Sequence, residues 1–158
     1  MDTLAKRLGE RLKRTNEMLA TAESCTGGWA AQVVTSVAGS SAWFERGFVT
    51  YSNEAKQELL GVRAETLRAH GAVSEETARE MARGALERSR ATVAVSVTGV
   101  AGPTGGTPDK PVGTVCFAWA RGTGVRSETR RLAGDRESIR RQSVILALEG
   151  VLQALDGG

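Results

Sequence analysis

The segment MLATAESCTGGWAAQVVTSV, residues 18–37, joins a short apolar run, a polar turn with two glycines and a second apolar stretch. We predict a strand over 18–22, a tight turn over 23–28 and a helix over 29–37. A strand that leads through a tight turn into a helix is the first half of an α/β unit. The segment therefore predicts a fold in which helices pack against a partly parallel sheet.

The rest of the chain continues this α/β pattern. Apolar residues at helical spacing and capping residues predict helices over 2–14, 52–60, 74–88 and 135–155. Apolar and β-branched runs predict strands over 44–51, 91–98, 112–120 and 125–132, of which the last two form a hairpin. We therefore predict a three-layer α/β/α single domain over residues 1–158, with a mixed sheet that is parallel early and antiparallel late.

Length and composition exclude several classes of protein. A chain of 158 residues suits one domain and is too short for two of ordinary size. No apolar run approaches the ~20 residues of a membrane helix, and the basic N-terminus is not followed by the apolar block of a secretory signal. Two cysteines are too few for a disulfide framework. We expect a cytoplasmic protein without a membrane partner.

The charge pattern argues against a nucleic-acid partner. The net charge of +3 is spread over basic residues that Glu and Asp mostly offset locally, and no basic stripe is visible. The same mild positive balance suits a small phosphorylated substrate. His70 is the single histidine, so a Ser-His-Asp triad would depend on it, and two cysteines with one histidine make a poor zinc site.

Three polar or glycine-rich segments, at 23–28, 51–56 and 98–106, follow predicted strands. In open α/β sheets, ligands bind beyond the carboxyl ends of strands, where such segments converge. We expect the three segments to line one pocket, although each taken alone is also typical of an ordinary connection.

The first of these segments offers two adjacent nucleophiles, Ser24 and Cys25. Backbone N–H groups of Thr26, Gly27 and Gly28 are expected to be available there for an oxyanion or a phosphate. Intrinsic reactivity favours Cys25, because a thiol is much more nucleophilic than an alcohol at neutral pH. A serine nucleophile would instead need a base within hydrogen-bond reach.

Candidate bases are Lys56, Glu23 and Glu54. The chain has four lysines against seventeen arginines, so a lysine kept at a helix start behind a strand hints at proton transfer, which arginine cannot perform. Burial would have to lower the pKa of Lys56 for this role. An exposed helix lysine is the alternative. Near the last helix, Arg136 and Arg140 could each bind a phosphate, or could simply be solvated.

Six motifs occur in order along nearly the whole chain. They are AESCTGG at 22–28, GSS at 39–41, FVTYSN at 48–53 followed by Lys56, GAVS at 71–74, TGVAGP at 98–103 and PVGT at 111–114. Together they closely resemble the CinA C-terminal domain family. The resemblance implies an α/β/α fold and the bacterial salvage reaction that converts nicotinamide mononucleotide and water to nicotinate mononucleotide and ammonia, without a metal or cofactor.

The resemblance also implies roles for single residues. Ser24 would be the nucleophile, Lys56 the general base, Tyr51 an orienting group or proton relay, and Thr98 a neighbour of the reacting amide. Cys25 would then be a small structural residue. The predicted substrate-binding residues are Glu23, Thr26, Gly27, Gly28, Gly99, Gly102, Arg136 and Arg140, and one of the two arginines would hold the phosphate.

Two other functions remain open from the sequence. One is a thiol amidase that uses Cys25 with Lys56 and Glu23. The other is a non-catalytic module that binds a nucleotide or takes part in competence-related interactions. In the amidase interpretation we expect a small-molecule substrate and a homo-oligomer.

Overall fold

Five strands form one mixed sheet in the computed structural model, which describes residues 1–157. The strands are β1 (Leu19–Glu23), β2 (Phe44–Val49), β3 (Val93–Gly99), β4 (Thr114–Arg121) and β5 (Gly124–Arg131). Their order is β2-β1-β3-β4-β5. β1 pairs in parallel with both β2 and β3, whereas β3–β4 and β4–β5 are antiparallel pairs. The predicted mixed sheet and its hairpin are confirmed.

Helices cover both faces of this sheet. They are α1 (Asp2–Arg14), α2 (Trp29–Thr35), α3 (Asn53–Leu60), α4 (Ala64–His70), α5 (Glu75–Glu87) and α6 (Arg136–Asp156). One face of the sheet packs against α1, α2 and α6 and forms the larger core with them. The other face packs against α3 and α5. This confirms the three-layer architecture. None of these helices, within the described chain, is both long enough and apolar enough to span a membrane.

Two local differences from the predicted elements have physical causes. The short helix α4 was not predicted, because its sequence AETLRAH has no clear apolar spacing. Instead, α5 holds this helix in place, because the Glu80 carboxylate accepts hydrogen bonds from Arg63 N–H (2.9 Å) and Thr66 Oγ1 (2.6 Å). β2 ends at Val49 rather than at residue 51, because the next two carbonyls turn toward a lysine side chain.

The connections of β1 and β2 place a crevice at the edge where both strands end. β1 is followed by α2 on one face of the sheet, whereas its neighbour β2 is followed by α3 on the opposite face. Where neighbouring parallel strands send their connections to opposite faces, the loops separate and leave room for a ligand. The residues that follow these two strands are Ser24 and the segment leading to Lys56.

Candidate active site

Ser24 and Lys56 meet across this crevice. Ser24 directly follows β1, and Lys56 lies in the first turns of α3, which the Ser52 side chain caps by accepting a hydrogen bond from Ala55 N–H. The distance from Lys56 Nζ to Ser24 Oγ is 3.0 Å. Lys56 is 1% exposed and Ser24 8% exposed. A serine hydroxyl and a lysine amine are therefore in hydrogen-bond contact, and both side chains are largely buried.

The other partners of Lys56 fix the orientation of its amine. Lys56 Nζ lies 2.8 Å from the carbonyl oxygen of Thr50 and 3.3 Å from that of Tyr51, and carbonyl oxygens only accept hydrogen bonds. A neutral amine has two N–H donors and one lone pair. When the two donors point to the two carbonyls, the lone pair is left facing the Ser24 hydroxyl.

Burial also favours the neutral form of this amine. Desolvation lowers the pKa of Lys56 below its ordinary value, because the ammonium ion loses its hydration in the crevice. A nearby hydroxyl that can donate its proton and a lowered pKa are the two properties that a lysine needs to serve as a general base. The geometry can thus activate a serine hydroxyl.

The environment of Cys25 raises the pKa of its thiol, whereas a reactive thiol needs a lowered pKa. Cys25 is 7% exposed, and burial raises the pKa of its thiol to about 12. Because the thiolate is the nucleophilic form, a thiol with this pKa is almost entirely unreactive near neutral pH. The structure therefore favours Ser24 over Cys25 as the nucleophile.

Glu23 holds the turn that follows Ser24. Its carboxylate is buried and accepts hydrogen bonds from Thr26 Oγ1 (2.6 Å), Gly28 N–H (3.2 Å), Ala30 N–H (2.9 Å) and Ala31 N–H (3.0 Å). Both carboxylate oxygens are thus occupied within the protein. This position supports a role in shaping the turn rather than in contacting a substrate or acting as a base.

The backbone N–H groups expected to face a ligand are not all available. Gly27 N–H donates to the Ser24 carbonyl (3.0 Å), and Gly28 N–H donates to the Glu23 carboxylate. The expectation for these two glycines is corrected on this point, because the turn uses both donors internally. Thr26 N–H donates to no acceptor within residues 1–157.

A cleft of about 380 Å³ opens beside Ser24 and Lys56, and all three of the polar segments contribute to it. It is lined by Ser24, Cys25, Tyr51, Lys56, Ala72, Val73, Thr98, Gly99, Val100, Ala101, Gly102, Thr104, Gly105 and Arg136. This lining, within the described part of the chain, has no carboxylate, and the Arg136 guanidinium gives it a positive charge. The charge balance suits an anionic ligand.

Thr98 and two glycines form the far wall of this cleft. Thr98 is buried, and its hydroxyl donates to the Ala72 carbonyl (2.9 Å), which leaves the oxygen lone pairs for another donor. A Cβ at Gly99 would approach Val115 Cγ2 to 2.8 Å. Gly102 has a φ of +78°, which favours glycine. These glycines allow the wall to pass close to β4 while exposing its backbone to the cleft.

Arg136 stands at the mouth of the cleft beside Tyr51. Its Nη1 donates to the Gly102 carbonyl (2.8 Å), and its Nη2 lies 3.4 Å from the Tyr51 hydroxyl. Asp135 caps α6 by accepting a hydrogen bond from Ser138 N–H, which places Arg136 in the first helical turn. Tyr51 is 64% exposed, so this side of the cleft is accessible to solvent.

Arg140 lies behind the Ser24 turn. Its guanidinium donates to the carbonyls of Cys25 and Thr26, and it does not belong to the cleft lining within residues 1–157. The structure thus separates the two arginines that the sequence left equivalent. Arg136 is the one that can meet a ligand in the cleft.

Sequence reasoning assigned no role to the Thr50 carbonyl or to the Ala72–Val73 backbone, which both contribute to the site. Every residue has a carbonyl, so no residue type signals that one of them will orient a lysine. The GAVS motif at 71–74 includes Ala72 and Val73, but the sequence suggested no role for it. The part of the chain that the structure describes holds no cluster of His, Cys, Asp or Glu that could bind a metal ion.

Comparison with known proteins identifies the family. The model of the CinA C-terminal domain matches residues 1–155. The chain belongs to the CinA C-terminal domain family. The match covers nearly the whole sequence, so every motif quoted above lies within the family domain, and the predicted family is confirmed.

Several relatives of this CinA-family chain carry the name of an enzyme. The nicotinamide-nucleotide amidohydrolase PncC of Escherichia coli K12 is 57% identical over 154 residues, which cover 95% of this chain and 92% of that protein. The protein of the same name from Pseudomonas putida is 58% identical over 151 residues, covering 96% and 94%. The crystal structure of competence/damage inducible protein CihA from Agrobacterium tumefaciens matches with a TM-score of 0.94 at 50% identity, covering 98% and 94%.

Proposed function

We propose that this protein is a nicotinamide-nucleotide amidohydrolase that uses Ser24 as nucleophile and Lys56 as base. The observation that carries the proposal is the 3.0 Å contact between Ser24 Oγ and the buried Lys56 amine. The amidohydrolase name of relatives at 57% and 58% identity supports nicotinamide mononucleotide as the substrate. The cleft volume also lies within the usual range of small-molecule sites.

The first half of the reaction is acyl transfer to the enzyme. Lys56 Nζ takes the Ser24 hydroxyl proton while Oγ attacks the carboxamide carbon of the pyridine ring, which forms a tetrahedral oxyanion. When the intermediate collapses, the C–N bond breaks and Lys56 returns its proton to the departing nitrogen. Ammonia leaves, and the nicotinoyl group remains as an ester on Ser24.

The second half is hydrolysis of that ester. A water molecule takes the place of the ammonia, Lys56 accepts one of its protons, and the hydroxide attacks the ester carbon. Collapse of this second oxyanion breaks the bond to Ser24 Oγ, which regains a proton from Lys56. The products are nicotinate mononucleotide and ammonia, and the enzyme returns to its starting state.

In this proposal the phosphate of the substrate lies at the mouth of the cleft. Arg136 has a guanidinium there with N–H donors beyond those given to Gly102 and Tyr51, and arginine binds phosphate oxygens in pairs. With the phosphate at Arg136, the pyridine amide would enter toward Ser24 and Thr98. Homo-oligomer formation and a cytoplasmic location remain predictions.

The direct test is ammonia release from nicotinamide mononucleotide by the purified wild-type protein. We expect release of one ammonia per nicotinate mononucleotide formed, in buffer containing a metal chelator. A folded protein that changes its melting temperature with the nucleotide but releases no ammonia would contradict the proposal. That result would support the non-catalytic nucleotide-binding alternative.

Substituting Cys25 separates the serine mechanism from the thiol alternative. We expect Cys25→Ala to keep kcat within about threefold of wild type, because the buried thiol with a raised pKa takes no part in the chemistry. The measurement is the same ammonia assay, with Cys116→Ala as the control for loss of a buried cysteine. Loss of turnover in folded Cys25→Ala alone would favour the thiol amidase.

A further inference from the structure

The hydrogen bonds of the Lys56 amine suit both of its protonation states. Its Nζ lies 2.8 Å from the Thr50 carbonyl oxygen, 3.3 Å from that of Tyr51 and 3.0 Å from Ser24 Oγ. An ammonium ion can donate to all three oxygens, whereas a neutral amine donates to the two carbonyls and accepts from the serine hydroxyl. These contacts alone therefore do not select the neutral form that a general base requires.

No carboxylate of the described chain faces this amine from the cleft. The Glu23 carboxylate accepts from Ala30 N–H and Ala31 N–H of α2, on the face of the sheet opposite α3. The carboxylates of α3 and of α5, which packs against it, lie outside the cleft lining; they are Glu54, Glu58, Glu75, Glu76, Glu80 and Glu87. The other titratable or charged side chains around the cleft are Cys25, Tyr51, Arg136 and Arg140.

The protonation of Lys56 thus depends on burial and on whatever charge a ligand brings. Lys56 is 1% exposed, and desolvation lowers the pKa of its amine because the ammonium form loses its hydration. A second positive charge within about 4–6 Å disfavours the ammonium form further, since like charges repel. With no carboxylate in the lining of the described cleft, little opposes such a repulsion.

The proposed substrate carries such a charge beside the amide that reacts. The ring nitrogen of a nicotinamide nucleotide is a pyridinium and shares its ring with the carboxamide. When Ser24 Oγ, which lies 3.0 Å from Lys56 Nζ, contacts the carboxamide carbon, the ring charge comes within a few ångströms of the amine. The phosphate lies farther out in this proposal, at Arg136. The substrate therefore brings its positive end to the lysine and its negative end to the arginine.

We propose that the pyridinium charge of the substrate helps to activate the base: on binding, it makes the Lys56 amine release its proton to solvent and leaves the neutral amine opposite Ser24. This proposal rests on the proposed function, and it narrows the substrate class to carboxamides on a cationic ring. A neutral carboxamide of the same shape would leave more of the bound enzyme with a protonated lysine and hence without a base.

Proton release on binding tests this proposal without turnover. The protein is Ser24→Ala, and calorimetric titration in two buffers of different ionisation enthalpy counts the protons released. The ligands are nicotinamide mononucleotide and the matched C-nucleotide with a neutral benzamide ring. We expect nicotinamide mononucleotide to release more protons, by up to about half a proton if its charge displaces the titration of the amine by about one pH unit. The titrations are made at about pH 9, where the phosphate, with a pKa of about 6, is ionised in both ligands.

The control combines Ser24→Ala with Lys56→Met. It has no amine to titrate, so the two ligands should release equal numbers of protons. Equal release by both ligands in Ser24→Ala itself, or a difference that persists in the control, would overturn the proposal. The proposed function would still stand if wild type releases ammonia. Wild type that releases no ammonia would overturn the proposed function and, with it, this inference.

The pH profiles of wild type give a second measurement, which decides alone if Ser24→Ala does not fold. The profile of kcat/KM reports groups of the free enzyme, and that of kcat reports groups of the bound complex. With nicotinamide mononucleotide, the midpoint of kcat should lie below that of kcat/KM by about one pH unit or more. With the benzamide nucleotide the two midpoints should lie closer together. Coincident midpoints with nicotinamide mononucleotide would overturn the proposal.

Discussion

Replacing Ser24 with alanine should reduce kcat for ammonia release from nicotinamide mononucleotide by roughly 10⁴- to 10⁶-fold, the loss typical of removing a serine nucleophile. Without Oγ no ester can form, and the Lys56 amine has no hydroxyl to activate. The fold should be retained, because the Ser24 hydroxyl contacts only the Lys56 amine among its side-chain partners in residues 1–157. One such hydrogen bond contributes about 1 kcal/mol to stability.

The measurement compares kcat and melting temperature of Ser24→Ala with those of wild type. Ser36→Ala is the matched control, because this serine donates to the Val33 carbonyl at the end of α2, away from the cleft. If Ser24→Ala keeps more than about a hundredth of wild-type kcat, Ser24 is not the nucleophile. A loss below about 100-fold would be no larger than the loss expected from removing general acid–base assistance, which contributes about 10²–10⁴-fold.

Replacing Lys56 should cost about 10²–10⁴-fold in kcat, which is the usual contribution of a general base. Lys56→Met keeps the length of the side chain but has no nitrogen, and Lys56→Arg keeps a donor for the Thr50 and Tyr51 carbonyls but stays protonated. Both variants should be similarly inactive. Substantial activity in Lys56→Arg would show that a fixed positive charge, rather than proton transfer, is what the reaction needs.

The pH dependence of wild type follows from the same lysine. Because burial lowers the pKa of Lys56, the fraction of neutral amine, and with it kcat/KM, should rise with pH through a midpoint below the ordinary lysine value of about 10.4. The measurement is a pH profile of kcat/KM at constant ionic strength. A midpoint at or above the ordinary value would contradict the role of Lys56 as base.

The fold was predictable where local sequence and tertiary structure agree. The strand, turn and helix of residues 18–37 carry their own signals, and β1 and α2 form close to the expected positions. The helix α4 was missed because its stability depends on Glu80, which lies one helix further along the chain. No local pattern reveals a contact of that kind.

The site was predictable as a set of segments but not as a set of contacts. Positions such as Ser24 and Lys56 could be named from residue type and motif, yet intrinsic reactivity alone favoured Cys25. Its raised pKa is a consequence of burial, which the sequence does not display. The direction of Gly27 N–H likewise depends on the conformation of the turn, and in the structure it donates to the Ser24 carbonyl instead of facing the cleft.

The cleft draws its wall from distant parts of the chain, and this affects when activity can appear. Ser24 and Lys56 follow two neighbouring strands and Thr98 lies near the end of a third, but Arg136 lies on α6, the last helix in sequence. During synthesis, a chain completed only through β5 would already contain the nucleophile and its base. Turnover would still require α6 to be in place, so regained activity in a refolding experiment reports the packing of α6 as well as formation of the sheet.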